Sequence, residues 1–213
     1  MSAFQSLEFK KLAEELAETG RFLAHKNWSP ATSSNYSARL TEPNHHQYVL
    51  SRSGVDKHQM TADDFLLVDS QGALLAPAGE KPSAETLIHC AIYQNFPMAS
   101  CVLHTHSVFA TRLSLKHFKK EKIEFSNYEI LKGLAGNTTH LMSEIVPILP
   151  NTQDMKEFVT WLNPLLQNGP HLHGFLISGH GLYTWGATIQ ETRRHVETFE
   201  FLFEAQAYSE MGF

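Results

Sequence analysis

Short apolar segments bounded by turn residues alternate along this chain with longer amphipathic segments, and this pattern restricts the fold more than any other feature. Strand-type composition with flanking turns predicts strands at 47–54, 65–69, 72–76, 99–104, 145–149, 174–178 and 181–185. Helical spacing and capping residues predict helices from Ser6 to about Lys26, from Ser83 to Phe96, from near Ser107, over 151–167 and from Gln190 to about Glu210. Because the elements lack a regular strand–helix–strand rhythm, we predict an α/β fold with a mixed or antiparallel-rich sheet.

Two segments are harder to assign from their composition. Pro164 lies inside the predicted helix 151–167, and proline removes a helical hydrogen bond, so we expect a kink or break at about Asn163. Residues 27–40 are dense in Ser, Asn and Thr, which is typical of turns, and no regular element is predicted there.

The size and charge of the chain favour a single globular domain over residues 1–213. A hydrophobic content of 42% and a charged content of 18% are ordinary for such a domain. The net charge is −5, and the basic stretch at 116–122 is short and interrupted by Glu121. A nucleic-acid partner is therefore not expected.

The amino-terminal segment alternates charged and apolar residues and lacks the apolar centre of a signal peptide. No stretch approaches the roughly 18 consecutive apolar residues of a membrane span. Cys90 and Cys101 lie inside apolar segments, where free thiols are commonly buried. We expect a cytoplasmic protein without a membrane partner.

His104 and His106 stand at the end of a predicted strand in a chain with 13 histidines. On a strand, residues two apart point to the same face, and imidazole suits Zn, Cu, Fe and Ni. Half of a metal site is one interpretation. A chance pair is the other, because His171 and His173 form a similar pair in a loop behind a proline.

His180 follows another predicted strand and lies between two glycines. Glycine permits a tight turn and close backbone approach, so the imidazole could be presented at a strand end. A catalytic zinc site needs three protein ligands and an open position, and His180 would be the third ligand. A surface histidine in a hairpin turn is the alternative.

Three small-polar segments, at 32–37, 51–54 and 81–83, lie at the edges of predicted elements. Hydroxyls and loop N–H groups can surround a phosphate, with charge added by Lys57 or Lys81. Ordinary turns are the alternative for each segment.

Two carboxylates lie close to these segments in sequence. Glu85 is in the first turn of a predicted helix, and Glu129 is in an apolar-flanked segment. Either could exchange protons with a substrate near a metal. A helix-dipole or capping role is the alternative for Glu85, and a solvent-facing helix position is the alternative for Glu129.

Five segments occur in an order that resembles the class II aldolase/adducin-type family, over about Ala13 to Glu204: SPATSSNYSARL, SRSGVDK, KPSAETLIH, VLHTHS and LISGHGLYTWG. The resemblance implies a three-layer α/β/α fold around a mainly antiparallel sheet, assembled as a cyclic homotetramer with active sites at subunit boundaries. It also implies that His104, His106 and His180 hold one Zn²⁺ per subunit.

The resemblance assigns the remaining site residues as well. The phosphate and substrate loops map onto Ser34, Asn35, Ser53, Gly54, Lys57 and Ser83. Glu85 matches the acid–base residue of the sugar-phosphate aldolases and is counted here among the substrate-binding residues. Glu129 matches the expected catalytic acid–base residue of a dehydrating branch. Ser34 replaces a glycine of the family pattern, and Ala84 replaces a serine found in some aldolases.

The segments SGVDK, YEILKG and ETFEFLFE are most similar to the branch that dehydrates 5-methylthioribulose 1-phosphate in methionine salvage. The implied activity is therefore that of a zinc-dependent hydro-lyase acting on a sugar phosphate. One alternative is an aldolase or 4-epimerase with the same metal site and a more critical Glu85. The other is a non-catalytic, adducin-like interaction domain, which should have lost its metal ligands.

Overall fold

The computed structural model describes residues 3–41 and 43–212, which form one sheet with helices on both of its faces. The strands are β1 Asn35–Arg39, β2 Gln47–Ser51, β3 Phe65–Asp69, β4 Leu74–Ala76, β5 Cys101–Thr105, β6 Lys122–Ser126, β7 Ser143–Leu149, β8 Gly174–Ile177 and β9 Gly181–Gly186. The α-helices are α1 Leu7–His25, α2 Thr86–Asn95, α3 Val108–His117, α4 Met155–Asn168 and α5 Ile189–Met211.

The strand order is β4-β3-β2-β1-β5-β9-β8-β7-β6. Neighbouring strands are antiparallel except β7 and β8, which run parallel. The prediction of a mainly antiparallel sheet is confirmed. Strand β5 lies between β1 and β9, so the carboxyl end of β5 is close to residues from distant parts of the chain.

Alternating side chains of β5 pack into two hydrophobic layers. Cys101 and Leu103 contact the cluster that contains α1, whereas Val102 contacts the cluster formed with α2 and α4. Helices α3 and α5 cover the other half of the sheet through a third cluster. The sheet is therefore the middle of three layers, as the resemblance implied. Cys90 and Cys101 are both free and buried, in agreement with the sequence prediction.

Two predicted helix starts behave differently. Ser107 caps α3 as expected, because its Oγ accepts from the backbone N of Ala110 at 3.1 Å. Helix α2 begins only at Thr86, so the predicted start at Ser83 is wrong. The Ser83 carbonyl accepts from Thr86 N at 3.2 Å and its hydroxyl accepts from Glu85 N at 3.3 Å. These bonds form a separate turn ahead of the helix.

Helix α4 continues through Pro164 to Asn168, so the expected break at Asn163 is wrong. Phe158, Leu162 and Leu166 are buried along one face of this helix. Packing of that face against α2 and the sheet offsets the one hydrogen bond that proline cannot make.

Strands β1 and β6 were not predicted. β1 lies inside the Ser- and Asn-rich segment, and its polar Asn35 and Ser37 are buried. Polar composition suggested turns, whereas the buried side chains find hydrogen-bond partners beneath the sheet. Among the described residues, no helix combines the length and the apolar character needed to span a membrane.

Candidate metal centre and phosphate pocket

Three histidines meet at the carboxyl end of β5. His104 is the fourth residue of the strand and His106 follows its end, while His180 lies in the turn between β8 and β9. One nitrogen from each ring lies within 4.8 Å of the others. The ring of His104 stacks on Tyr183 of β9, with the ring centroids 4.0 Å apart. The two motifs predicted from sequence therefore form a single cluster.

The glycines flanking His180 have separate functions in this turn. Gly179 has φ +66°, a conformation that glycine adopts without steric cost. At Gly181, a Cβ would lie 1.9 Å from the Thr105 carbonyl oxygen. The tight turn and the close backbone approach expected from the sequence are both present, and they bring His180 against β5.

Hydrogen bonding and burial prepare the imidazoles for a metal. His104 Nδ1 donates to the carbonyl oxygen of Leu182 at 2.8 Å, so the lone pair of this ring is on Nε2. Nε2 lies 3.3 Å from Nε2 of His180. Burial lowers the pKa of His104 to about 3 and, together with the neighbouring His104, lowers that of His106 to about 2. Both rings are neutral, which is the form that ligates metals.

The carboxylate of Glu85 lies against the same cluster. Its Oε1 is 3.1 Å from His180 Nε2, and its Oε2 is 3.5 Å from His104 Nε2. Oε2 also accepts from Asn35 Nδ2 at 2.6 Å and from the Tyr183 hydroxyl at 2.8 Å. Burial raises the pKa of Glu85, but the hydrogen bonds that its carboxylate accepts from His180 and Asn35 outweigh burial and hold the pKa well below its usual range. Glu85 stands at the N-cap position of α2, but its side chain makes no capping hydrogen bond to the helix and binds His180, Asn35 and Tyr183 instead.

A cavity of about 210 Å³ opens beside the three histidines. Six of the seven substrate-binding residues predicted from sequence line it: Ser34, Asn35, Ser53, Gly54, Ser83 and Glu85. Ser34 has φ +74°, so this backbone has the conformation for which the family pattern carries glycine. The three small-polar segments therefore meet in one pocket next to the histidines.

Lys57 is the seventh predicted residue, and the structure places it behind the pocket wall. Its side chain is 1% exposed, and its ammonium donates to the carbonyl of Val55 at 2.9 Å and reaches that of Thr32 at 3.5 Å. The assignment of Lys57 as a direct substrate contact is corrected. This lysine connects two of the loops that form the pocket.

Sequence reasoning missed other residues of this pocket. Arg52 lines it, and its Nη2 pairs with Asp64 Oδ1 at 2.7 Å. Gln153 reaches it from the connection between β7 and α4, and Met155 reaches it from the first position of α4. The basic residue in SRSG was a usable signal for Arg52, whereas nothing in the sequence marked the connection.

Glu129 does not line this pocket. It begins a short 3₁₀-helix, Glu129–Gly133, and is exposed to solvent. Its carboxylate accepts a hydrogen bond from Lys132 and lies 3.6 Å from Nδ1 of His140. The Lys132 ammonium holds the pKa of Glu129 below its usual value. Within one chain, the predicted catalytic residue and the histidine cluster are separate.

Comparison with known proteins gives two kinds of similarity. Residues 14–207 match the family described as Class II Aldolase and Adducin N-terminal domain. A methylthioribulose-1-phosphate dehydratase from Picosynechococcus sp. is 50% identical, over 94% of this chain and 93% of its own length. One of the same name from Pseudomonas aeruginosa is 47% identical, over 92% and 94%.

Among solved structures, an L-fuculose-1-phosphate aldolase from Thermus thermophilus superposes with a TM-score of 0.73 at 22% identity. The match covers 95% of this chain and 97% of that one. At this identity, the likeness supports the fold alone.

Proposed function

The chain belongs to the Class II Aldolase and Adducin N-terminal domain family, and from this premise we propose that it is a hydro-lyase of methionine salvage. Its reaction converts 5-methylthioribulose 1-phosphate to 2,3-diketo-5-methylthiopentyl 1-phosphate. The observation that carries the proposal is the meeting of three imidazoles, a carboxylate and three hydroxyl-bearing loops around one pocket. The relatives named as dehydratases support the choice of substrate.

His104, His106 and His180 are the residues that would hold the metal, which we assign as one Zn²⁺ per subunit. Three imidazole nitrogen donors with a further open position are typical of catalytic zinc, and the fixed Nδ1 hydrogen bond of His104 is the outer-shell contact such ligands make. When bound, the metal supplies Lewis acidity to the substrate's C2 carbonyl, which makes the proton on C3 easier to remove.

The loops would bind the phosphate and so fix the position of the carbon chain. Ser53 and Ser83 offer hydroxyl groups, Gly54 offers a backbone N–H, and Arg52 adds a positive charge at the pocket wall. Such groups recognise phosphate oxygens through charge-assisted hydrogen bonds. Holding this end of the substrate places C2 and C3 beside the histidines, which lowers the entropic part of the barrier.

The methylthio end would lie outside the phosphate pocket. A wide groove of about 720 Å³ begins at His106 and is lined along α3 by Val108 and Leu115. These side chains are 73% and 61% exposed, so an apolar group would gain by covering them. We assign the methylthio pocket to this groove.

Glu129 is the acid–base residue of the proposed reaction. It removes the C3 proton and returns it to the departing C4 hydroxyl, so that one water leaves and the enol product becomes the diketone. Because Glu129 does not line its own chain's pocket, we propose that it acts in the pocket of a neighbouring subunit. Exposed Ile130 and Phe201 lie beside it and would cover the groove along α3, enclosing the methylthio group.

This contact joins two different surfaces of the same chain. Heterologous contacts of this kind close into rings when the rotation permits, in agreement with the expected cyclic homotetramer. We place this assembly in the cytoplasm, without nucleic-acid or membrane partners.

A sugar-phosphate aldolase or 4-epimerase is the second candidate, and the position of Glu85 beside the histidines favours it. The same substrate separates the candidates. Incubation of the zinc-loaded protein with 5-methylthioribulose 1-phosphate should give a product lighter by one water, detected by mass spectrometry. Cleavage between C3 and C4, or inversion at C4 without loss of mass, would support the second candidate. A non-catalytic domain would leave the substrate unchanged.

A further inference from the structure

A chain of buried hydrogen bonds leads from Glu85 away from the pocket. The side-chain nitrogen Nδ2 of Asn35 donates to Glu85 Oε2 at 2.6 Å, and the side-chain oxygen Oδ1 of Asn35 contacts Nε2 of His89. On the other side of the ring, His89 Nδ1 lies 2.7 Å from the Ser37 hydroxyl, which is 2.8 Å from the Tyr93 hydroxyl. The five side chains come from β1, α2 and the turn before α2.

We infer that His89 is a positioning residue: by donating to Asn35 Oδ1, it turns the Asn35 amide so that its NH₂ group holds Glu85 toward the metal site. The inference rests on the proposed metal-dependent function of that site. Neither His89 nor Ser37 lines the pocket, so His89 would act only through Asn35.

The direction of each hydrogen bond follows from counting protons. The Asn35 amide directs its NH₂ group to Glu85 Oε2 and its Oδ1 to His89 Nε2, and an amide oxygen only accepts. His89 Nε2 must then carry the proton, which leaves Nδ1 to accept from the Ser37 hydroxyl. With its one proton used, the Ser37 oxygen accepts from Tyr93. The series of hydrogen bonds from Glu85 to Tyr93 therefore has one consistent arrangement of its protons.

The surroundings of His89 favour the neutral ring that this arrangement needs. The side chain is 1% exposed, and burial lowers its pKa to about 4. Its ring meets Tyr183 edge-on, with centroids 5.7 Å apart. A single neutral tautomer is therefore held by one acceptor and one donor.

The consequence for Glu85 is a fixed orientation. Asn35 and Tyr183 both bind Oε2, which leaves Oε1 facing His180. If the Asn35 amide rotated, two oxygens would face each other, and Glu85 would turn away from the cluster. Outer-shell partners of metal sites typically change metal affinity or activity 10–100-fold when they are removed.

Zinc affinity, measured on the purified full chain by competition with a chelator, tests the inference without using catalysis. His89→Leu removes the donor to Asn35 and should weaken Zn²⁺ binding about 10–100-fold. His89→Gln can still donate to Asn35 and accept from Ser37, so it should stay within about threefold of wild type. This rescue by a conservative residue is not expected if His89 only fills space.

His195→Leu is the matched control. His195 is also 1% exposed and also hydrogen-bonded on both ring nitrogens, to Trp185 and Ala135. It does not belong to the series of hydrogen bonds that runs from Glu85 to Tyr93. His195→Leu should lower the thermal unfolding midpoint and leave the zinc affinity unchanged. If His89→Leu does not fold, Ser37→Ala is measured in its place. Ser37→Ala should weaken zinc binding, whereas His89→Gln should not.

Wild-type zinc affinity in folded His89→Leu or in Ser37→Ala would overturn the inference, as would equal weakening in His195→Leu. The outcome is separable from the proposed reaction. A protein that shows the expected affinity pattern but leaves 5-methylthioribulose 1-phosphate unchanged would contradict the reaction and keep the positioning role of His89.

Discussion

Oε1 of Glu85 lies 3.1 Å from Nε2 of His180, although Glu85 precedes α2 and His180 lies in the turn between β8 and β9. The pairing of β5 with both β1 and β9 brings these segments together. It places a carboxylate and three imidazoles around one point. An arrangement of this kind is suited to holding a divalent metal and to binding an oxygen-rich substrate next to it.

Replacing His104 or His180 with alanine should reduce bound zinc from about one ion per subunit to a small fraction, because each removes one of three nitrogen ligands. Elemental analysis of dialysed protein measures this. His171→Ala is the control, since His171 is exposed and outside the cluster. Full zinc content in both ligand variants would contradict the ligand assignment.

Gly181→Ala should destabilise the fold and weaken zinc binding, because a Cβ would overlap the Thr105 carbonyl oxygen and push β9 away from β5. We expect a loss of about 1–3 kcal/mol in urea unfolding. Gly136→Ala, at a positive φ with nothing within 4 Å of the added Cβ, should cost only backbone strain and leave zinc affinity intact. Equal effects of the two variants on zinc would refute this explanation.

Ser34→Gly should stabilise the chain by about 1 kcal/mol, because Ser34 has φ +74° and a side chain adds strain in that conformation. The same change removes a hydroxyl from the pocket, so KM for the sugar phosphate should rise. Urea unfolding and steady-state kinetics measure the two effects. A less stable variant would show that the hydroxyl contributes more than the strain costs.

Glu200 should make stability fall as pH rises. It lies beneath the metal site, where its carboxyl accepts from Thr105 Oγ1 at 3.2 Å, and burial raises its pKa from 4.5 to about 7. The folded chain therefore retains a proton that the unfolded chain releases above pH 4.5. The stabilisation is complete below that pH and lost through about pH 7, on the order of 3 kcal/mol in all.

Unfolding free energy measured between pH 4.5 and 8 tests this expectation. Glu200→Gln should flatten the decline, whereas Glu204→Gln, which changes an exposed residue one turn away, should largely preserve it, because the Glu204 charge is the smallest of the causes that shift the pKa of Glu200. An unchanged slope in Glu200→Gln would assign the decline to another group.

Mixed oligomers test whether Glu129 serves a neighbouring subunit. Glu129→Gln and His104→Ala should each be inactive alone, because one lacks the acid–base residue and the other a metal ligand. Co-refolded together, they should recover part of the dehydration activity, since some pockets combine an intact triad with an intact Glu129. A mixture as inactive as its components would place Glu129 in its own chain's site or outside catalysis.

The sequence predicted the parts of the site that depend on local rules. The i, i+2 spacing on a strand placed His104 and His106 on one face, and the glycines explained how His180 could approach them. Family resemblance then selected one of the interpretations that these patterns left open. Local rules also located the start of α3 near Ser107.

Long-range contacts account for what could not be predicted. Asn35 and Ser37 resemble turn residues until β1 pairs with β5 and their partners on α2 become visible. Lys57 resembles a phosphate ligand until its burial and carbonyl contacts are known. Pro164 resembles a helix terminator until the packing of α4 is included.

The reaction itself is tested most directly by following 5-methylthioribulose 1-phosphate with the zinc-loaded protein by phosphorus and proton NMR. We expect a single phosphorylated product that has lost one water, keeps its five-carbon chain and is not formed by His104→Ala. Formation of dihydroxyacetone phosphate, or of the C4 epimer with no loss of water, would rule out the dehydratase reaction and identify an aldolase or an epimerase.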